Sequence, residues 1–162
     1  MPEVNLRFVA LTNGLMYRIG QSWPLTGVVF ERYSSGQIKS RSGVVNGRLE
    51  GLSEGWHTNG VRQVEEPFRA GKSHGLRRKW YASGRLLSTA EIVAGQLHGV
   101  FRQWHENGRM AEEIPMRHGQ PHGVSRAWFP DGALKARACL VAGNVQEQEY
   151  FEDNGMRLAS PK

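Results

Sequence analysis

The sequence predicts an all-β fold, an elongated single-sheet antiparallel β-hairpin solenoid with a 24-residue period. Three observations predict it. Glycines recur in three ladders, each stepping by 24 residues: Gly27, Gly51, Gly75, Gly99 and Gly123; Gly36, Gly60, Gly84, Gly108 and Gly132; Gly47, Gly71, Gly95, Gly119 and Gly143. Aromatic columns keep the same step, with Trp56, Trp80, Trp104 and Trp128 each followed by an aromatic residue or histidine, and with Arg32 standing in the Trp column of the first copy. Between the glycines the pattern has period 2, as in Leu86, Ser88, Ala90 and Ile92, which puts those four side chains on one face of a strand. The glycine spacing leaves no stretch long enough for a helix.

The elements follow in order. Residues 1–26 form an N-terminal cap holding a degenerate repeat, with a turn at Asn13-Gly14 and the run Pro24-Leu25-Thr26-Gly27 leading into the repeats. Residues 27–143 hold five 24-residue repeats. In each, a first strand such as residues 76–81 meets a turn such as Ala82-Ser83-Gly84, where glycine supplies a positive φ. A second strand, residues 85–93, then returns to Ala94-Gly95-Gln96-Leu97, which turns into the next unit. Aliphatic columns (Val28, Leu52, Leu76, Val100, Val124) and apolar columns (Val44, Phe68, Ile92, Met116, Leu140) supply the packing. Residues 144–162 form a degenerate C-terminal cap, with Phe151 in the Trp column and Gly155 in the turn column. Stacking these hairpins gives a meander of about 11–12 strands whose stability is a sum over neighbouring units.

Composition excludes several classes. The chain has 162 residues, which fits one domain. The single cysteine, Cys139, makes neither an internal disulfide nor a cysteine-rich zinc site. No apolar run reaches the roughly 20 residues of a membrane-spanning helix. The N-terminal segment has no basic region followed by a long apolar one, so a cytoplasmic location is expected.

Candidate chemistry is sparse. His74, His98 and His122 recur at the repeat period, but equivalent columns lie about 10 Å apart along a sheet, too far for shared ligation. They read as turn caps, His57, His105 and His118 are scattered, and no metal site is expected. Cys139 sits in an apolar strand-like stretch, and neither a nucleophile elbow nor a phosphate loop is present. Adjacent pairs such as Glu65-Glu66 and Glu112-Glu113 point to opposite faces of a strand and cannot act together. No catalytic residue and no cofactor are expected, and the protein is not expected to be an enzyme.

Charge carries more information. The net charge is +6, and the excess lies in residues 1–81, with 12 Lys+Arg against 6 Asp+Glu. Arg77, Arg78 and Lys79 concentrate it. Arg78, Arg102 and Arg126 form a column two residues before Trp80, Trp104 and Trp128, a spacing that suits cation–π stacking or a binding hot spot. With Tyr81 and His105 these residues are the candidate partner-binding set. Basic and aromatic residues interleave as in single-strand binders, but acidic residues are spread throughout and no base-reading motif is present, so nucleic acid is not an expected partner.

The segments GLRRKWYASGRLLSTAEIVAGQLHG, GVFRQWHENGRMAEEIPMRHGQPHG and GVSRAWFPDGALKARACLVAGN resemble the MORN (membrane occupation and recognition nexus) repeat, in its bacterial variant form. The opening NGLMYRIGQSWPLTGVVFERYSSGQIKSRSGVVNGRLEG is similar to the start of bacterial YwqK-family antitoxin and immunity proteins. The resemblance covers residues 12–158 and implies a noncatalytic protein that neutralises a cognate toxin or secreted effector by direct stoichiometric binding and occlusion. It implies a second role as the alternative: a MORN-type scaffold or peripheral membrane protein that binds phospholipid. A homodimer is compatible with either.

Overall fold

The computed structural model describes residues 1–158; residues 159–162, the end of the expected C-terminal cap, lie outside the described residues. The chain divides into two compact units, Met1–Gly84 and Arg85 onward. The boundary falls at the Gly84 turn, inside the third repeat. Among the described residues the only helical element is a 3-10 turn at Leu6–Phe8, and no helix is long and apolar enough to cross a membrane.

The first unit contains β1 (Glu3–Asn5), β2 (Val9–Thr12), β3 (Leu15–Arg18), β4 (Gly27–Arg32), β5 (Ile38–Val45), β6 (Arg48–Trp56), β7 (Arg62–Arg69), β8 (Lys72–Ser73) and β9 (Gly75–Trp80). Its main sheet runs in the order β1-β4-β5-β6-β7-β9, and β8 pairs with the end of β7. All these pairings are antiparallel except one. β1 lies parallel to β4, with Glu3 opposite Val28 and Asn5 opposite Phe30. A purely antiparallel meander is therefore not what starts the fold. The terminal segment instead covers the edge of β4 with a short strand, a common protection for an exposed edge.

The second unit contains β10 (Leu86–Val93), β11 (Gln96–Leu97), β12 (Gly99–Trp104), β13 (Met110–Arg117), β14 (Gln120–Pro121), β15 (Gly123–Trp128), β16 (Leu134–Val141) and β17 (Asn144–Tyr150). Its sheet order is β10-β12-β13-β15-β16-β17, antiparallel throughout. On β10 the expected face is formed as Ser88, Ala90 and Ile92, all buried, with Ala90 only 2% exposed.

Two turn types join the strands. The two-residue turns have both central residues at positive φ, as in Ala94 (50°) and Gly95 (86°). That is the type I′ geometry whose twist matches the flanking strands. The other connections place a glycine in the left-handed region at the fourth loop position, as at Gly84 (φ 86°). There a backbone N–H closes the loop, Gly84 N donating to Tyr81 O at 2.9 Å.

Repeats are tied to each other by bonds that recur with the period. Gly47 N donates to Leu25 O and Gly71 N to Leu49 O in the first unit. Gly119 N donates to Leu97 O and Gly143 N to Pro121 O in the second. The residue before three of these glycines is also capped. Asn46 N donates to Thr26 Oγ1 (2.9 Å), Ala70 N to Glu50 Oε2 (2.7 Å) and Ala142 N to His122 Nδ1 (3.3 Å). In the histidine column His122 caps a turn, and the turn it caps belongs to the following repeat.

A packed core forms at the start of the chain. Val4, Leu25, Val29 and Val44 are buried together, with Val9, Met16 and Leu49 against them. The β2–β3 hairpin is fastened there by Met16 N to Gly47 O (2.8 Å) and Leu25 N to Met16 O (2.9 Å).

Candidate partner-binding face

Strand alternation sorts each unit's side chains onto two faces. In the first unit, register places Leu52 opposite Pro67 and Glu54 opposite Glu65, and Glu65 opposite Arg78. In the second, Val100 lies opposite Pro115 and Val124 opposite Cys139. One row over, Arg102 faces Glu113, Glu113 faces Arg126, Arg126 faces Arg137, and Arg137 faces Glu149. One face of each unit therefore carries an aliphatic row beside an ionic row, with the tryptophans at the far end of the same strands.

In the ionic rows each central carboxylate serves two guanidiniums. Glu65 is bound by Arg62 and lies 3.7 Å from Arg78. Glu113 lies 3.1 Å from Arg102 and 3.7 Å from Arg126. Glu149 lies 3.1 Å from Arg157 and 3.8 Å from Arg137. The second unit's row thus has four guanidiniums on two carboxylates and keeps a positive excess. The arginine side chains remain 39–62% exposed. Exposed pairs of this kind contribute only about 0–1 kcal/mol each, so they orient the guanidiniums without consuming them.

The arginine column expected to stack on tryptophan turns instead to carboxylates across the strand. The reason is distance: directly opposite residues have Cβ atoms about 4.5–5.5 Å apart, nearer than the next residue on the same face of one strand. A guanidinium does approach an indole at Arg62, 5.8 Å above Trp56.

The candidate residues separate as follows. Arg102 and Arg126 come together on Glu113. Arg78 lies on Glu65, while Arg77 points to the opposite face and lies 3.6 Å from Glu66. Lys79, opposite Val64, shares Arg77's side. Tyr81 opens the loop that ends at Gly84. His105 is half-buried, and its Nε2 donates to Trp128 O at 2.9 Å. His57 makes the same bond to Trp80 O and the Tyr33 hydroxyl donates to Trp56 O. This column therefore fastens one repeat to the next.

Sequence reasoning did not find Glu113, Arg137, Glu149 and Arg157 as members of the row. Aligning by the period compares equivalent strands only, and the residue between two of them is visible only through hairpin register, which bulges shift. Cys139 is half-buried and is a free thiol. Among the described residues no group of three or more His, Cys, Asp or Glu is placed to hold a metal ion.

Comparison with protein families identifies one hairpin of this face. Residues 97–118 match the MORN repeat variant. The matched MORN segment spans β12, the loop ending at Gly108 and β13, and so contains Arg102, Trp104, His105 and Glu113. The MORN repeat supports a scaffold or binding role for the sheet. Comparison with curated proteins gives no match.

Proposed function

We propose that the chain is a noncatalytic binding protein that neutralises a toxin or secreted effector by stoichiometric occlusion, using the aliphatic and ionic rows of its repeat sheet. The observation that carries this reading is the row Arg102–Glu113–Arg126–Arg137–Glu149, which holds exposed arginines in fixed order beside Val100, Pro115 and Val124. Such a face suits a partner that brings an acidic patch flanked by apolar side chains. The antitoxin assignment rests on the resemblance of the repeats and of the N-terminal segment. The test is affinity capture of the tagged full chain from its own host, followed by activity assay of the captured protein. The expected result is a partner whose activity falls to zero at one equivalent of this chain. Replacing Arg102→Gln and Arg126→Gln together is expected to weaken that binding by at least about tenfold. A partner that is bound equally well by the double variant would overturn the assignment of this face.

A second reading, a scaffold docked on anionic membrane, is favoured by the exposed Phe8, Leu11, Ile19 and Trp23 near Arg7 and Arg18 in the N-terminal segment. Aromatic and aliphatic side chains beside basic ones suit a lipid interface. Sedimentation with phosphatidylserine vesicles, lost on Leu11→Ser with Trp23→Ser, would support it.

A further inference from the structure

The column that caps the two-residue turns breaks its rule at His98. Thr26, Glu50 and His122 each accept the N–H of a turn residue in the following repeat. The His98 imidazole makes no hydrogen bond among the described residues. It stands edge-on to the imidazole of His118, with ring centres 6.0 Å apart and planes at 63°. Both residues are exposed.

His118 is itself the exception at its position. It is the first residue of a two-residue turn, at φ 52°, where the other turns hold Asn13, Asn46, Ala70, Ala94 and Ala142. The backbone fixes the two residues as neighbours, because Gly119 N donates to Leu97 O at 2.9 Å. Two imidazoles from adjacent repeats thus meet at one end of the second unit's sheet. The spacing of about 10 Å that separates repeat-equivalent histidines does not separate this pair, since His118 is not in the column of His98.

The geometry points to a two-imidazole site for a borderline divalent transition ion, Zn²⁺ being the probe of choice, formed by His98 and His118. Neutral imidazole is a preferred donor for such ions. With Zn–N bonds of about 2.0–2.1 Å and the ring centre roughly 1.2 Å behind each nitrogen, two imidazoles on one tetrahedral ion have centres about 5 Å apart. Closing from 6.0 Å requires only a small rotamer adjustment of two exposed side chains. The site has two protein ligands, in keeping with the lack of any three-residue cluster, and water completes the coordination.

The repeats supply their own control. Replacing His98→Thr and His118→Asn together reproduces the Thr26–Asn46 arrangement of the first repeat junction, in which the hydroxyl caps the turn at 2.9 Å. Asn followed by Gly is also a favoured type I′ pair, so this variant keeps its fold. The experiment is calorimetric titration of the untagged full chain with Zn²⁺, alongside imidazole ¹⁵N–¹H NMR. The expected result is one ion per chain, with the His98 and His118 resonances moving together. The event is lost in the double variant and kept in His122→Thr. Absence of a saturable event in the parent chain, or its survival in the double variant, would overturn the site.

Discussion

His105 shows how a repeat position can accept different residues while keeping one bond. Tyr33, His57 and His105 all present an N–H or O–H to the carbonyl of a tryptophan column residue 23 positions later, at 2.6–2.9 Å. Tyrosine and histidine are alike there because both place a donor at the end of a planar ring. His105→Ala is expected to cost about 1 kcal/mol, the usual net contribution of one hydrogen bond, plus lost ring packing. His105→Tyr is expected to restore the loss, and urea unfolding of both variants measures it. Arg102→Gln with Arg126→Gln, by contrast, is expected to change stability by under about 1 kcal/mol, because their partner carboxylate is half-solvated and exposed pairs contribute little. The two kinds of position are thus separable: one column fastens the sheet, the other faces solvent.

At the scale of the element, the two-residue turns carry a strain that the sequence leaves in place. Ala70, Ala94 and Ala142 occupy left-handed backbone at φ 49–50°, where Asn13 and Asn46 stand in the first part of the chain. An ordinary L-residue in that region costs roughly 1–2 kcal/mol, and asparagine tolerates it better. Ala94→Asn and Ala142→Asn are each expected to stabilise the chain by about 1 kcal/mol, raising Tm by about 2–4 °C apiece. Scanning calorimetry checks this, and an unchanged Tm would mean that the turn strain is relieved elsewhere. These turns were legible from glycine spacing alone, and so were the strands, whose expected spans 76–81 and 85–93 correspond to Gly75–Trp80 and Leu86–Val93. The parallel pairing of β1 was not legible. Three residues, Glu3–Asn5, carry too little pattern to reveal a partner, and the chain reaches it only by folding back over the β2–β3 hairpin. The ionic row was half legible: the period exposed Arg102 and Arg126, while Glu113 between them depends on a register that the bulge at the Gln103–Trp104 step shifts.

At the scale of the whole molecule, the repeated bonds imply that the 24-residue period, and not any single strand, is the unit of folding. The fastening contacts that recur with the period each join one repeat to the next: turn glycine to carbonyl, capping side chain to turn N–H, ring donor to tryptophan carbonyl. Removing residues 99–122 joins His98 directly to Gly123, which has the same neighbours in the pattern as Gly99. Each of those bonds can then re-form between the repeats on either side, so the shortened chain is expected to keep its β circular dichroism and a cooperative melt, at a lower Tm because one repeat interface is gone. Removing residues 99–110 deletes β12, its loop and Met110, the first residue of β13, but leaves the rest of that strand. The following strands would then run against their partners in the wrong direction, with alternation out of phase, and a one-residue slip already moves every side chain to the other face. That half-period chain is expected to lose cooperative melting. If both deletions behaved alike, the bonds between repeats would be incidental, and stability would reside instead in the N-terminal core around Val4, Leu25, Val29 and Val44.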